Sequence, residues 1–332
     1  MKTMKWLLRR EFWENKGSLF WAPIVVALVM LTFVGGTMGY GLAKNGGLRM
    51  PGVTIVNGHE MTHTQMINLM PLETKAKIAD VVANTYLAAA APLLAVLPVV
   101  VFFYCLSALY DDRRDRSILF WKSLPVSDQM TVWSKVLTAL CVAPVITIAI
   151  GTAVSVLMIA IGLSTAALSG LNLFGFVLSN YNFYLAPFRM IGLLPVYALW
   201  AIPTVGWLLM VSAWARSKVF LWAVGVPVLS LVLVKWANFI MGEYMGLELN
   251  VDWFAHNVVL RGLAGLVPGI WLPFAKVDPN TMINQAQRSI DAGGVFTQSW
   301  MTLTQPDVWV GVIVGGAMIF VAMRLRRWRD EG

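Results

Sequence analysis

Charge is scarce in this chain. Asp, Glu, Lys and Arg make up only 13% of its 332 residues, where a soluble globular domain carries about a quarter. That shortage excludes an ordinary solvated surface around a core of this size. Cysteine is nearly absent. Cys105 and Cys141 both fall in or beside apolar runs, which excludes a disulfide framework and a cysteine metal cluster and leaves both as packing residues. Histidine occurs three times. No glycine loop of the form GxxxxGK[ST] is present, so the chain has no phosphate cradle of its own for ATP. A cleavable signal segment is not expected either. The first apolar run starts only after Ser18, and its flank carries Glu11 and Glu14, whereas a signal has a short basic flank and a short apolar core.

Apolar residues are abundant. They form 58% of the chain, the mean hydropathy is +0.70, and they come in runs long enough for helices that cross a bilayer, which need about 20 residues each. We place six such spans: Leu19 to Leu42, Tyr86 to Leu109, Val132 to Leu163, Ile191 to Trp214, Val219 to Met241 and Val308 to Met323. The third is longer than one crossing needs. Leu171 to Pro187 is apolar but interrupted by Ser179-Asn180-Tyr181-Asn182, and reads as an interfacial or re-entrant stretch. The expected fold is an all-α integral membrane protein. It comprises an amphipathic interfacial helix over 1–18, a six-helix transmembrane domain over 19–332, and helical outer segments at 43–85 and 242–307.

Basic residues orient this layout. Sixteen of the 25 Lys and Arg residues fall in the N-terminal segment, the loops around 113–135 and 216–218, and the C-terminal segment, while the other nine are spread over longer stretches. The acidic residues divide almost evenly between the two sides. By the positive-inside rule, both termini are cytoplasmic. The same asymmetry accounts for the basic isoelectric point without a nucleic-acid partner.

Two cytoplasmic segments carry the most information. In the first, Met4, Trp6, Leu7, Leu8, Phe12 and Trp13 alternate with Lys5, Arg9, Arg10, Glu11 and Glu14. Such a helix lies at the headgroup layer, as a plain anchor or as an elbow against a cytoplasmic partner. The second is the short loop 110–127, dense in both charge signs. Asp112 and Arg116 are spaced to pair along a helix. Ile118, Leu119 and Trp121 supply apolar anchors, Pro125 ends the helix, and Ser127 caps the next one. The loop reads equally as a docking surface and as a solvated linker whose charges set topology.

Together, the amphipathic start Trp6–Lys16, the loop Leu109–Ser127 and the tight turn Trp214-Ala215-Arg216-Ser217-Lys218 resemble the permease subunits of type-2 ABC transporters, which have the ABCG-like or type V exporter fold. The long outer segment before the last span adds to the likeness. The resemblance implies a permease of the bacterial inner membrane, surrounded by membrane lipids and paired with a second permease copy, identical or sister. It implies that Asp111, Asp112, Arg113, Arg114, Asp115, Arg116, Ile118, Leu119, Trp121 and Lys122 form a coupling helix that docks a separate ABC ATP-binding subunit, with Arg216, Ser217 and Lys218 as a second inner loop. ATP and magnesium would then belong to that partner, with no cofactor and no catalytic residue in this chain. The family is made up mostly of exporters of chemically diverse substrates.

A motif of another class competes. His59-Glu60-Met61-Thr62-His63 fits HExxH, in which two histidines on one helix face hold zinc and the glutamate activates water. His59 and His63 are therefore candidate ligands of a membrane zinc metalloprotease. The remaining histidine is His256, and no spacing points to it, or to Glu73, as a third ligand. Three further features have ordinary structural readings. Lys235 in the fifth span snorkels outward. Gly35, Gly36, Gly39 and Gly41 form a small-residue face suited to close helix packing. Pro195, Pro203 and Pro227 kink their spans. The outer segment 242–307, with Pro268-Gly269, Pro273 and several aromatics, reads as interfacial helices covering the bundle or as a small cap.

Overall fold

The computed structural model of the chain describes residues 2–45, 70–115, 127–285 and 289–328. Six helices are long and apolar enough to cross a bilayer: Gly17–Lys44, Leu72–Arg114, Asp128–Leu168, Tyr181–Trp214, Val219–Met245 and Pro306–Arg327. They are referred to below as the first to sixth spans. The chain is a multi-pass membrane protein, and each expected span lies inside an observed one. The N-terminal helix Lys2–Glu14 precedes the first span.

The helices run past the expected limits because apolar length alone does not stop a helix. Prolines distort them instead. Pro23 and Pro144 have no N–H to offer one turn back, and the backbone widens into π turns at Gly17–Trp21 and Thr138–Val142 just before them. The interrupted stretch Leu171 to Pro187 forms two short helices, Phe174–Leu178 and Tyr181–Gly192. Asn180 ends the interruption by accepting the Asn182 N–H at 2.9 Å, an N-cap. The second helix then runs almost directly into Leu194–Trp214 as the start of the fourth span. Asn180 Nδ2 on Asp80 (2.7 Å) and Tyr86 Oη on the Phe183 carbonyl (2.9 Å) tie this pair to the second span.

The fourth span is the axis of the bundle. Of its most apolar 18 residues 61% are buried, against 11% in the fifth span and 17% in the first, which places those two at the periphery. Trp200, Val205, Leu208 and Leu209 have no more than 2% exposure. Small residues bring the fourth and sixth spans together. A Cβ on Gly206 would lie 2.5 Å from the Gly315 carbonyl oxygen, and one on Gly315 would lie 2.7 Å from the Ile202 carbonyl oxygen. Helices that are apolar all round have no amphipathic stripe to choose a partner face, so glycine-to-backbone contact does it. By contrast, Gly35, Gly36, Gly39 and Gly41 meet nothing within 4 Å in one chain.

Part of the segment 242–307 packs among the spans. Residues 251–264 are helical throughout, through Val251–Phe254, Ala255–Leu260 and Arg261–Ala264. They enter the bundle and turn at 265–270. A Cβ on Gly265 would fall 2.5 Å from Thr204 Oγ1 and 3.0 Å from the Trp200 carbonyl oxygen, and Thr204 Oγ1 donates to the Arg261 carbonyl at 3.1 Å. Thr204 lies ten residues from the Trp214 end of its helix, about 15 Å along it, so the turn reaches mid-span. The chain returns through Trp271–Phe274, where Trp271 Nε1 donates to Ser299 Oγ at 2.9 Å. A two-residue hairpin pairing Ile283 with Ile290 follows.

Candidate functional site

At the end of the bundle shared by the N-terminal helix and the last turn of the sixth span, a buried cluster of charges joins four elements. Glu11 of the N-terminal helix is 0% exposed. Its carboxylate accepts from Tyr104 Oη of the second span at 2.9 Å, pairs with Lys135 Nζ of the third span at 3.2 Å and meets Arg10 Nη2 at 2.7 Å. Lys135 also reaches Asp112 Oδ2 at 3.5 Å. Asp112 takes Arg326 Nη1 of the sixth span at 2.8 Å, and Arg326 Nε reaches Asp128 at 3.3 Å. Three carboxylates and three cations thus neutralise one another.

Local rules put these groups where they are. Asp128 sits in the first turn of the third span, behind Ser127, whose Oγ accepts the Met130 N–H at 3.3 Å. Arg326 sits in the last turn of the sixth. Acids at helix starts and cations at helix ends both complement the helix dipole. Removing one partner from such a buried pair costs about 3–5 kcal/mol, because the other charge is left uncompensated.

The loop expected to couple to a partner begins in this cluster. Tyr110–Arg114 is one helical turn, fixed to the end of the fourth span by Ser212. Its Oγ donates to the Leu106 carbonyl (2.7 Å) and accepts the N–H groups of Leu109 (3.1 Å) and Tyr110 (3.0 Å). Arg113 Nη2 donates to the carbonyls of Ser212 (2.7 Å) and Ala215 (2.8 Å), capping the fourth span with a cation. Arg113 therefore joins the described start of the loop, 110–115, to the turn 215–218.

The predicted residues divide by direction. Asp112 and Arg113 turn inward and hold the bundle. Asp111, Arg114 and Asp115 are exposed, as are Arg216, Ser217 and Lys218. Lys218 adopts the left-handed conformation (φ 50°) to start the fifth span. Arg116, Ile118, Leu119, Trp121 and Lys122 lie outside the described residues, and so does the pairing of Arg116 with Asp112. Among the described residues, Lys135 and Arg326 meet the charge on Asp112.

Glu11, Tyr104, Lys135 and Arg326 were not singled out in the sequence as a site. The available signal was a single acid, Glu11, within a basic helix and a lysine, Lys135, near the start of an apolar span. At the rim, Glu14 Oε1 pairs with Arg10 Nε at 3.4 Å. Partial burial pushes its carboxyl above the usual range, against the pull of Arg10.

The competing motif, His59 to His63, lies outside the described residues. Among the described residues no three His, Cys, Asp or Glu side chains gather to hold a metal. His256 packs on the Phe274 ring, 4.4 Å between centroids. Cys105 is buried as expected, whereas Cys141 is exposed, because it points away from the single-chain core. Lys235 is exposed on the fifth span, close to Glu248 and Asp252 around one shallow hollow. No protein-family model, no curated protein and no solved structure matches this chain.

Proposed function

We propose that this chain is the transmembrane permease subunit of an ATP-binding cassette exporter, working with a separate ATP-binding subunit and a second permease copy in a bacterial inner membrane. One observation carries the reading: the buried charge cluster fastens the start of the loop 110–127 to the N-terminal helix and to the third and sixth spans, and Ser212 and Arg113 fasten it to the fourth. A load applied to that loop is thereby spread over the bundle, which is what coupling to an external motor requires. Asp111, Arg114 and Asp115 face outward from a rigid base, beside Arg216, Ser217 and Lys218, and together they form a charged rim suited to fixing the register of a docked protein. In this reading the shared end of the bundle faces the cytoplasm, and Trp6 and Trp13, exposed on the N-terminal helix, sit at the headgroup layer. Nucleotide and magnesium are bound by the partner alone.

The test starts from a neighbouring reading frame that encodes a Walker A loop. The two chains are co-expressed and copurified, and ATP hydrolysis is measured in proteoliposomes. The expected result is a stable complex that is lost when Asp111, Arg114 and Asp115 are reversed in charge together. A complex that forms equally well with the reversed residues removes the docking assignment. Cleavage of a membrane peptide that is abolished by Glu60→Gln would favour the protease reading instead.

A further inference from the structure

The first and third spans are built alike where they leave the charge cluster. In each, a π turn of five residues, Gly17–Trp21 or Thr138–Val142, comes just before a proline, Pro23 or Pro144. The residue ahead of the proline donates its N–H to a carbonyl five positions back, Ala22 to Gly17 and Ala143 to Thr138. A hydroxyl inside each π turn also bonds backward. Ser18 Oγ donates to the Asn15 carbonyl at 3.1 Å and Thr138 Oγ1 to the Ser134 carbonyl at 2.8 Å. Wide turns, prolines and back-bonded hydroxyls each bend or loosen a helix. Proline alone does not produce this arrangement, since Pro98, Pro203 and Pro227 stand within α-helix.

The two weak points lie at one level. The π turn of the first span packs on the third span at 143–168, and the π turn of the third span packs on the N-terminal helix. Leu19, Leu140 and Ala143 share one buried apolar cluster. Toward the charge cluster, the N-terminal helix lies on Asp128–Leu137, and Glu11 is fastened to Lys135 at 3.2 Å. In the other direction, Ala22–Asn45 lies along Ala143–Leu168, and Thr165 Oγ1 meets Met38 Sδ at 3.8 Å. Two helix pairs, each fastened within itself, are thus joined through two loosened turns side by side. One loosened helix is held by a straight neighbour, whereas two loosened at the same level can bend together.

We propose that the two π turns form one hinge, about which the N-terminal helix and 128–137 swing as a single arm against 22–45 and 143–168. The ion pairs Lys135–Asp112 and Arg326–Asp128 pass the swing to the turn 110–115 and to the end of the sixth span. The hinge does not depend on the transporter reading, because it needs no docked partner. A bend of about 20° would carry Lys5, about 18 Å along the helix from Gly17, through about 6 Å.

Spin-label pairs on the full chain in lipid nanodiscs test this, with the exposed Cys141 replaced by Ser. Labels at Lys5 and Leu157, and at Trp133 and Leu157, cross the hinge, while labels at Val29 and Leu168 lie on one side of it; all five positions are exposed. Distances measured by double electron–electron resonance should be broad or two-peaked for both crossing pairs and narrow for the third. Pro23→Leu combined with Pro144→Leu returns the two missing N–H donors and should narrow both crossing pairs to the width of the third. Crossing distributions as narrow as the third pair in the parent overturn the proposal, whether or not the double variant folds. Breadth that a folded double variant leaves unchanged also overturns it, and so does breadth in one crossing pair alone, which would divide the arm.

Discussion

Lys135 is 3% exposed and touches both Glu11 and Asp112 in the buried cluster. Lys135→Met leaves two buried carboxylates short of a counter-charge, and a loss of about 3–5 kcal/mol is expected. A lower melting temperature in detergent would register it. Adding Glu11→Gln to that variant should recover part of the loss, since a neutral amide is cheaper to bury than an unpaired carboxylate. Glu14 gives a pH-dependent counterpart. Its folded carboxyl binds a proton more tightly than the unfolded one, so its contribution to stability is present at low pH and falls as pH rises from the ordinary glutamate range through the raised folded value. Glu14→Gln should therefore melt higher than the parent at pH 7 and no higher at pH 4. A difference that is the same at both pH values would show that burial does not set the Glu14 titration.

At the scale of elements, contact between the fourth and sixth spans depends on Gly206 and Gly315. Gly315→Ala puts a methyl group onto the Ile202 backbone, where no flexible side chain can give way. About 1–3 kcal/mol of destabilisation is expected, readable as a fall in melting temperature. Gly35→Ala, facing open space, should leave the isolated chain unaffected. The turn into the fifth span behaves in the opposite sense. Lys218 pays about 1–2 kcal/mol for its left-handed backbone, so Lys218→Gly should raise the melting temperature. The sequence marks 215–218 as a tight turn, but not which residue takes the strained conformation. The spans were legible because insertion into a bilayer is decided by the length and apolarity of each segment taken alone. The inserted segment 251–264 was not, because its entry depends on Gly265 meeting Trp200 and Thr204, far away in the chain.

At the scale of the molecule, Glu11, Asp112, Asp128 and Arg326 can meet only if the N-terminal helix, the 110–115 loop and the end of the sixth span share one end of the bundle. Cysteines placed at Thr3 and Arg327 should therefore react with a membrane-impermeant maleimide from the same side of sealed vesicles. If that side is the cytoplasmic one, the transporter reading stands; labelling from opposite sides would contradict the shared end itself. An even number of spans and the basic asymmetry made a common side legible from the sequence. The loop 110–127 was legible as a charged surface, but Asp112 and Arg113 read there as equals of Asp111 and Arg114. Only their burial against Lys135, Arg326 and Ser212 separates the residues that hold the bundle from those left to face a partner.

The sequence by itself determined that this is a helical membrane protein with six spans, and where the charged loops fall between them. Those properties are local, since a run of about 20 apolar residues partitions into lipid whatever its neighbours are. The tertiary structure alone decided that Glu11 lies against Lys135, 124 positions away, and Asp112 against Arg326, 214 positions away. It likewise decided that Arg261 is buried beside Trp200, with its guanidinium on the backbone carbonyls of Asp307 and Val308. A buried charge is tolerable only where a partner or a bare glycine backbone happens to stand, and in helices that are apolar on every side nothing in the local pattern says which distant residue that will be.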